Sequence, residues 1–176
     1  WVVIAFSLTL TALLLPMGRL SDLIGRKKTL LSGIILFIIG SMICYFAGDF
    51  SMLILGRVVM GLGASMGQGV GTAIVVSVFP QKERGKAIGS HTTAVAIGAA
   101  GGPLLAGVLL QVFSWQVIFL VVAFPAVLAF FWGLLILDDE RIGSFQAEDW
   151  GFDWSGAVLT ILLMHIFVTT LNSHVT

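Results

Sequence analysis

A short charged stretch, Gly18–Lys28, separates two long apolar runs. Its eleven residues, GRLSDLIGRKK, hold five charges: the carboxylate of Asp22 and four basic side chains. An acid and several bases this close together could simply be solvated, could orient the chain in a membrane, or could take part in a functional conformational change. The charges alone leave all three explanations open.

Arg57 is the only one of the nine Lys and Arg residues that falls within an apolar run. A charge inside a membrane is costly, faces protein or water, and marks a functional site by default. Because Arg57 lies near one end of its run, its side chain could instead extend to the membrane interface. In a functional role it needs an acid on another helix, and no Asp or Glu lies deep in any apolar run.

The other polar candidates carry weaker signals. Gln68, in the same run as Arg57, could contact a ligand or donate a hydrogen bond to a neighbouring helix. His91 and His165 could relay protons, but neither has an acid or a second His at helical spacing, which favours a structural role. Cys44 has no partner for a disulfide or a thiol metal site.

Motifs of enzymes are missing from the sequence. It contains no phosphate-binding glycine loop after a strand, and no HExxH, CxxC or GxSxG pattern. The sequence therefore predicts a protein that is not an enzyme, with no cofactor, no metal and no nucleic-acid partner.

The composition sets the class of protein. Of the 176 residues 58% are hydrophobic and only 10% charged, and the mean hydropathy is +1.07. Soluble domains average about 25% charged residues. The chain therefore has too little polar material to cover a soluble domain, which predicts a polytopic membrane protein.

Six apolar stretches are long enough to cross a membrane, which takes roughly 20 residues. Lipid cannot satisfy an open backbone, so the stretches must be helices, and their continuous apolarity excludes the alternation of barrel strands. The sequence thus predicts an all-α polytopic protein with six transmembrane helices. The chain starts at Trp1 without a signal-like segment, so we expect at least one further element upstream. The stretches cover about residues 1–17, 30–47, 52–79, 86–112, 115–137 and 153–172.

The basic residues predict the orientation. Connections 18–29 and 80–86 carry seven Lys and Arg residues, whereas 48–51 and 113–114 carry none. Lys and Arg collect on the cytoplasmic side, which places 18–29 and 80–86 inside. Parity then places 138–152 inside as well, although that connection is acidic.

Small residues recur every four positions in two of the predicted helices. Such a face lets two helices approach closely in lipid, either as fixed packing or as a sliding contact. One face comprises Gly63, Gly67 and Gly71, and the other Ala94, Gly98, Gly102 and Ala106.

Pro103 lies within the second of these helices and removes one backbone hydrogen bond there. Gly101 and Gly102 directly before it ease bending, so we expect a kink at this point. The kink could serve static packing or act as a hinge.

The charged stretch resembles a motif of the major facilitator superfamily. In that family the inside connection between helices two and three reads G-x-L-a-D-r-x-G-r-k-x-x-l. The sequence GRLSDLIGRKKTL follows this pattern, with Leu23 in place of the usual basic residue. The matching residues are Gly18, Leu20, Asp22, Gly25, Arg26, Lys27 and Leu30.

Two later stretches resemble further patterns of the same family, in the same order. RVVMGLGAS is similar to the helix-four pattern R-x-x-q-G-x-g-a-a, with Met60 and Ser65 as departures. GAAGGPLLAG is similar to the helix-five antiporter pattern g-x-x-x-G-P-x-x-G-G, with Ala106 as a departure. The matching residues are Arg57, Gly61, Gly63 and Ala64 in the first, and Gly98, Gly102, Pro103 and Gly107 in the second.

The segment SWQVIFLVV narrows the resemblance to the 14-helix drug:proton antiporters, with Gln116 where a basic residue is commoner. The resemblance implies a fragment of family helices two to seven. Residues 1–137 would then form most of the N-terminal bundle, 138–152 a cytoplasmic connection, and 153–176 an additional central helix. Family helix one and the C-terminal half would be missing.

The resemblance also implies a function: proton-coupled export of hydrophobic or cationic small molecules by alternating access, across a plasma or inner membrane. Asp22 and Arg26 would form a latch that holds the inside closed, supported by Gly18, Gly25 and Lys27. Arg57 would assist protonation of an acid on helix one. The helix-five motif, Gly98, Gly102, Pro103 and Gly107, would set a bend and tight packing. The implied partners are a small-molecule substrate, protons, the lipid bilayer and the C-terminal half of the same protein.

Two alternatives stay open. A facilitator-fold carrier of another metabolite class would share most of these motifs. A non-transporting membrane sensor of the same fold would need a soluble effector domain, and the chain contains none. A membrane enzyme is disfavoured, because the sequence carries no enzyme motif.

Overall fold

A computed structural model describes residues 1–137, and the regular secondary structure of this part is all α-helix. All five helices are long and apolar enough to cross a membrane. Five of the six predicted spans are thereby confirmed, and the predicted connection 138–152 and span within 153–176 lie outside the described residues. The helices are α1 (Val2–Ile24), α2 (Arg26–Tyr45), α3 (Phe50–Val78), α4 (Arg84–Val112) and α5 (Val117–Ile136).

The predicted connection 18–29 is wrong in its extent. Helix α1 continues to Ile24 and α2 begins at Arg26, so Gly25 alone separates them. Gly25 has φ 106° and ψ 136°, a conformation that only glycine adopts readily. The charged residues belong to helix ends instead of a loop, because a helix that projects beyond the lipid can carry charges in the headgroup layer.

Helix α3 is the centre of the described bundle, packed against both α2 and α1, while α5 packs against α2. Glycines set the short distance between α2 and α3. A Cβ added at Gly40 would lie 2.6 Å from the backbone nitrogen of Met60, and one at Gly56 would lie 2.5 Å from Cys44 Sγ. The two helices therefore approach as closely as they do because these positions lack side chains.

Buried hydroxyls are satisfied within their own helices. Ser21, Thr29, Ser41 and Ser65 are each at most 2% exposed. Each donates a hydrogen bond to a carbonyl oxygen three or four residues earlier, at 2.6–2.9 Å. This pairing lets polar side chains sit inside an apolar bundle without an orphaned group.

The predicted glycine face of α3 is only partly a contact. Gly63 packs against the backbone of Phe37 on α2, and Gly61 packs against the carbonyl oxygen of Phe6 on α1. A Cβ at Gly67 would meet nothing within 4 Å, and one at Gly71 would meet only His91, at 3.4 Å. Within the described residues this face therefore packs tightly at Gly63, while Gly67 and Gly71 leave room for a methyl group. The tight contacts alternate between α2 and α1, because the helix turns by about 100° per residue.

Helix α4 packs less closely against its neighbours, α3 and α5, than the other described helices pack against theirs. A Cβ added at Gly98, Gly102 or Gly107 would meet no atom of the described residues within 4 Å. The helix runs unbroken from Arg84 to Val112, through Pro103. Within residues 1–137 the two glycines of the predicted α4 face, Gly98 and Gly102, thus contact no neighbouring helix, and Pro103 does not interrupt the helix.

Candidate functional site

Asp22 and Arg26 face each other across the break at Gly25. Arg26 Nη2 lies 3.4 Å from Asp22 Oδ1, with the side chains 10% and 31% exposed respectively. Arg26 Nη1 also donates a hydrogen bond to the carbonyl oxygen of Ala73, at 3.3 Å. One guanidinium therefore links the end of α1, the start of α2 and the last part of α3. Lys27, the next residue, is half-buried.

A groove of about 420 Å³ opens between α1 and α3 beside this ion pair. Its lining combines two charged and two polar side chains with leucines and glycines. Gly18 and Gly69 narrow its base, since a Cβ at Gly69 would lie 3.0 Å from the nitrogen of Gly18. The groove brings Gln68 and Asp22 into one cavity, a proximity that the sequence alone did not predict. The lining residues are Leu14, Leu15, Gly18, Arg19, Asp22, Gln68, Gly69 and Thr72.

Arg57 lies at the other end of α3, seven residues after its first residue Phe50. Its Cζ is 4.8 Å from the ring centroid of Phe119 on α5 and 6.0 Å from that of Phe6 on α1. Phe119 is only 5% exposed. The guanidinium therefore lies against a buried ring of the bundle.

The guanidinium has no acidic partner within residues 1–137. Arg57 Nε is buried and makes no hydrogen bond in this part of the chain. Asp49, the acid at the same end of α3, is engaged elsewhere: its Oδ1 accepts from the backbone nitrogen of Met52 at 2.7 Å and caps the helix. An unpaired buried donor of this kind calls for a partner.

Arg57 lies far from the ion pair of Asp22 and Arg26. Arg57 and Ala73, which Arg26 contacts, are sixteen residues apart on one helix. At 1.5 Å per residue this separation is about 24 Å. The structure thus groups Asp22, Arg26 and Gln68 at one end of α3 and places Arg57 near the other. The helix-five motif on α4 joins neither cluster within the described residues.

Sequence reasoning missed both aromatic contacts of Arg57. Phe119 and Phe6 lie on helices distant in sequence, and aromatic residues make up 11% of the chain, so composition does not single them out. It also missed Gly33 and Gly40 of α2, although their spacing of two helical turns places them on one face.

Comparison with known proteins tests the family resemblance that the three motifs indicate. The family model described as Major Facilitator Superfamily matches residues 1–175. This chain belongs to the Major Facilitator Superfamily. The resemblance seen in the three motifs is thereby confirmed, and the chain is part of a multi-pass membrane protein. Membership of the 14-helix group stays a prediction.

Named relatives cover most of this chain. It is 37% identical over 150 residues to the riboflavin transporter RibZ of Clostridioides difficile, covering 83% of this chain and 33% of that protein. It is 33% identical over 169 residues to the multidrug resistance protein Stp of Mycobacterium tuberculosis, covering 96% and 31%. It is 31% identical over 173 residues to the putative multidrug resistance protein MdtD of Yersinia pestis, covering 98% and 36%. The chain therefore spans about a third of the length of these relatives.

Proposed function

We propose that residues 1–137 form most of the N-terminal bundle of a secondary active transporter that exports hydrophobic or cationic small molecules in exchange for protons. The observation that carries this proposal is the environment of Arg57. A guanidinium rests against the buried ring of Phe119, with a buried Nε and no acidic partner among the described residues. The names of the relatives Stp and MdtD support the substrate class.

The physical argument concerns the missing counter-charge. An arginine inside a membrane costs at least about 2.5–3.5 kcal/mol unless it is paired or hydrated. A carboxylate brought next to Arg57 by another part of the transporter would lower that cost. The same carboxylate would lose its proton more readily near the guanidinium and bind it again on moving away. Alternating such a contact between two conformations couples proton movement to transport.

The groove beside Asp22 could bind substrate in the conformation that is open to the cytoplasm. It contains an acid, a base, an amide and leucine side chains within about 420 Å³. In this proposal Gln68 contacts an amphipathic substrate there, while Asp22 and Arg26 break and remake contacts as the inside opens. Residues 138–152 and 153–176 serve as the cytoplasmic connection and an additional central helix, in a plasma or inner membrane.

The test uses the whole transporter in inside-out membrane vesicles with ethidium as a hydrophobic cationic probe. An acid interior is imposed, and a pH-sensitive dye reports proton release when ethidium is added. We expect ethidium to discharge the gradient with the wild-type protein but not with Arg57→Ala. Lys82→Ala, which removes an exposed charge at the cytoplasmic connection, is the matched control and should behave like the wild type. Correctly inserted protein that moves no protons with ethidium would contradict the proposal.

A second candidate has one specific observation in its favour. The identity of 37% to a riboflavin transporter supports a carrier of another metabolite class. Riboflavin offered in the same vesicles separates the two. Riboflavin movement without any response to ethidium would favour this second function.

A further inference from the structure

The side chain of Arg57 connects two helices whose backbones are not neighbours. No Cα of α3 lies within 8 Å of a Cα of α5. Nevertheless, the guanidinium carbon lies 4.8 Å from the ring centroid of Phe119, in the first turn of α5. The guanidinium of Arg57 and the ring of Phe119 thus make a direct side-chain contact between these two helices.

The ring of Phe119 is fixed independently of Arg57. It packs into the buried cluster formed with Cys44 of α2 and Met60 of α3. The ring of Trp115 meets it edge-on, with centroids 6.1 Å apart and an angle of 90°. A ring held on several sides presents its face in one place and loses little freedom when a cation settles on it.

Phe119 is the stronger of the two aromatic contacts. A cation interacts with a ring face within about 6 Å of the centroid, and more strongly where water is excluded. At 6.0 Å Phe6 stands at the limit of that range, whereas Phe119 is well inside it and 5% exposed. Phe119 therefore offers the guanidinium the stronger attraction of the two rings.

The end of α5 that carries Phe119 also carries a buried polar side chain. Gln116 lies three residues before Phe119, so the two side chains share one face of the helix. Its Oε1 is buried and accepts no hydrogen bond within residues 1–137. Helix α5, which carries no charged residue of its own, thus presents both a ring face and a free acceptor at this end.

We propose that Phe119 is the positioning residue of Arg57. Its ring holds the guanidinium inside the bundle by a cation–π contact and leaves Nε available for the acid that pairs with it. The effect on transport rests on the proposed proton-coupling role of Arg57, whereas the positioning itself does not. Removal of the contact would free the side chain to move towards the membrane interface.

The experiment weakens the electrostatic attraction while preserving the shape of the ring. Phenylalanine with one, two or three ring fluorines is placed at position 119 of the whole transporter in membranes. Two quantities are measured: the rate at which phenylglyoxal modifies Arg57, and ethidium-driven proton release. The same series at Phe131, a 58% exposed residue of the same helix, is the matched control.

We expect the modification rate to rise stepwise with each fluorine at position 119, by about three- to thirty-fold over the series. The series at position 131 should give constant rates. Phe119→Trp should restore slow modification, whereas Phe119→Leu should not. A rate that stays constant over the fluorinated series at position 119 would overturn the proposal, and this holds even if the leucine variant fails to fold.

The two measurements also separate this inference from the proposed function. A stepwise rate increase together with full proton release in Arg57→Ala supports the positioning by Phe119 and contradicts the coupling role. A constant rate together with lost proton release in Arg57→Ala supports the coupling role and overturns the positioning.

Discussion

Gly33 of α2 and Gly63 of α3 each occupy the space where the other's side chain would be. A Cβ added at Gly33 would lie 2.9 Å from the carbonyl oxygen of Gly63, and one at Gly63 would lie 2.5 Å from the carbonyl oxygen of Gly33. Both obstacles are backbone atoms, which cannot rotate away as a flexible side chain can. This reciprocal contact fixes the distance between the two most closely packed helices of the described bundle.

The first prediction follows from that contact. Gly63→Ala should lower the free energy of unfolding by about 1–3 kcal/mol, because the helices must separate to admit a methyl group. Gly67→Ala, one turn later and with nothing within 4 Å, is the matched control. It should be neutral or stabilising by up to about 1 kcal/mol, since alanine favours the helix. Thermal unfolding in detergent measures both, and equal stabilities of the two variants would contradict the assignment.

The second prediction concerns the single residue between α1 and α2. Gly25 has φ 106°, and a Cβ there would meet nothing within 4 Å. Gly25→Ala therefore introduces backbone strain without a clash, and we expect a loss of about 1–3 kcal/mol in unfolding free energy. Gly48→Ala is the control, because Gly48 is also free of neighbours but has no positive φ. A Gly25→Ala protein as stable as Gly48→Ala would show that the break does not depend on glycine.

Within residues 1–137 the number and type of the helices could be predicted from the sequence. The apolar stretches were long, and lipid permits few alternatives to a helix. Their ends were harder to predict, because charged residues can continue a helix beyond the lipid. For this reason the sequence predicts a connection over residues 18–29, whereas only Gly25 of the charged motif breaks the helix.

The candidate site could be predicted only where the residues in contact are close in sequence. Asp22 and Arg26 are four residues apart, so their proximity follows from a nearly continuous helical course. The contact of Arg57 with Phe119 spans more than sixty residues and depends on how α5 packs against α2. No periodicity within one helix encodes such a contact, and identifying it required the three-dimensional structure.

The third prediction separates a latch from an ordinary ion pair. Pairs of this i,i+4 type contribute about 0.3–0.5 kcal/mol, so Asp22→Asn should barely change the unfolding free energy. If the carboxylate works as part of the inside gate, the same variant should lower ethidium-driven proton release by at least about ten-fold. Asp49→Asn is the control for a carboxylate with only a capping role, and it should keep full transport. Unchanged transport by Asp22→Asn at normal expression would contradict the latch.

The last prediction concerns Pro103. Its replacement should affect transport without lowering stability. Within the described residues the neighbouring Gly102 and Gly107 meet no atoms that a methyl group would displace. Replacement of Pro103 by alanine restores a backbone donor and removes the clash of the ring with the preceding turn, so the variant should be no less stable than the wild type.

Transport should nevertheless suffer in Pro103→Ala. Glycines directly before a proline allow a helix to bend, and the open face of α4 offers a surface against which another part of the transporter can move. We therefore expect loss of ethidium-driven proton release at unchanged unfolding temperature. Pro125→Ala, a proline inside α5 without glycines directly before it, should keep transport. Full exchange by Pro103→Ala would contradict the hinge, because a stiffened α4 would then serve as well as a flexible one.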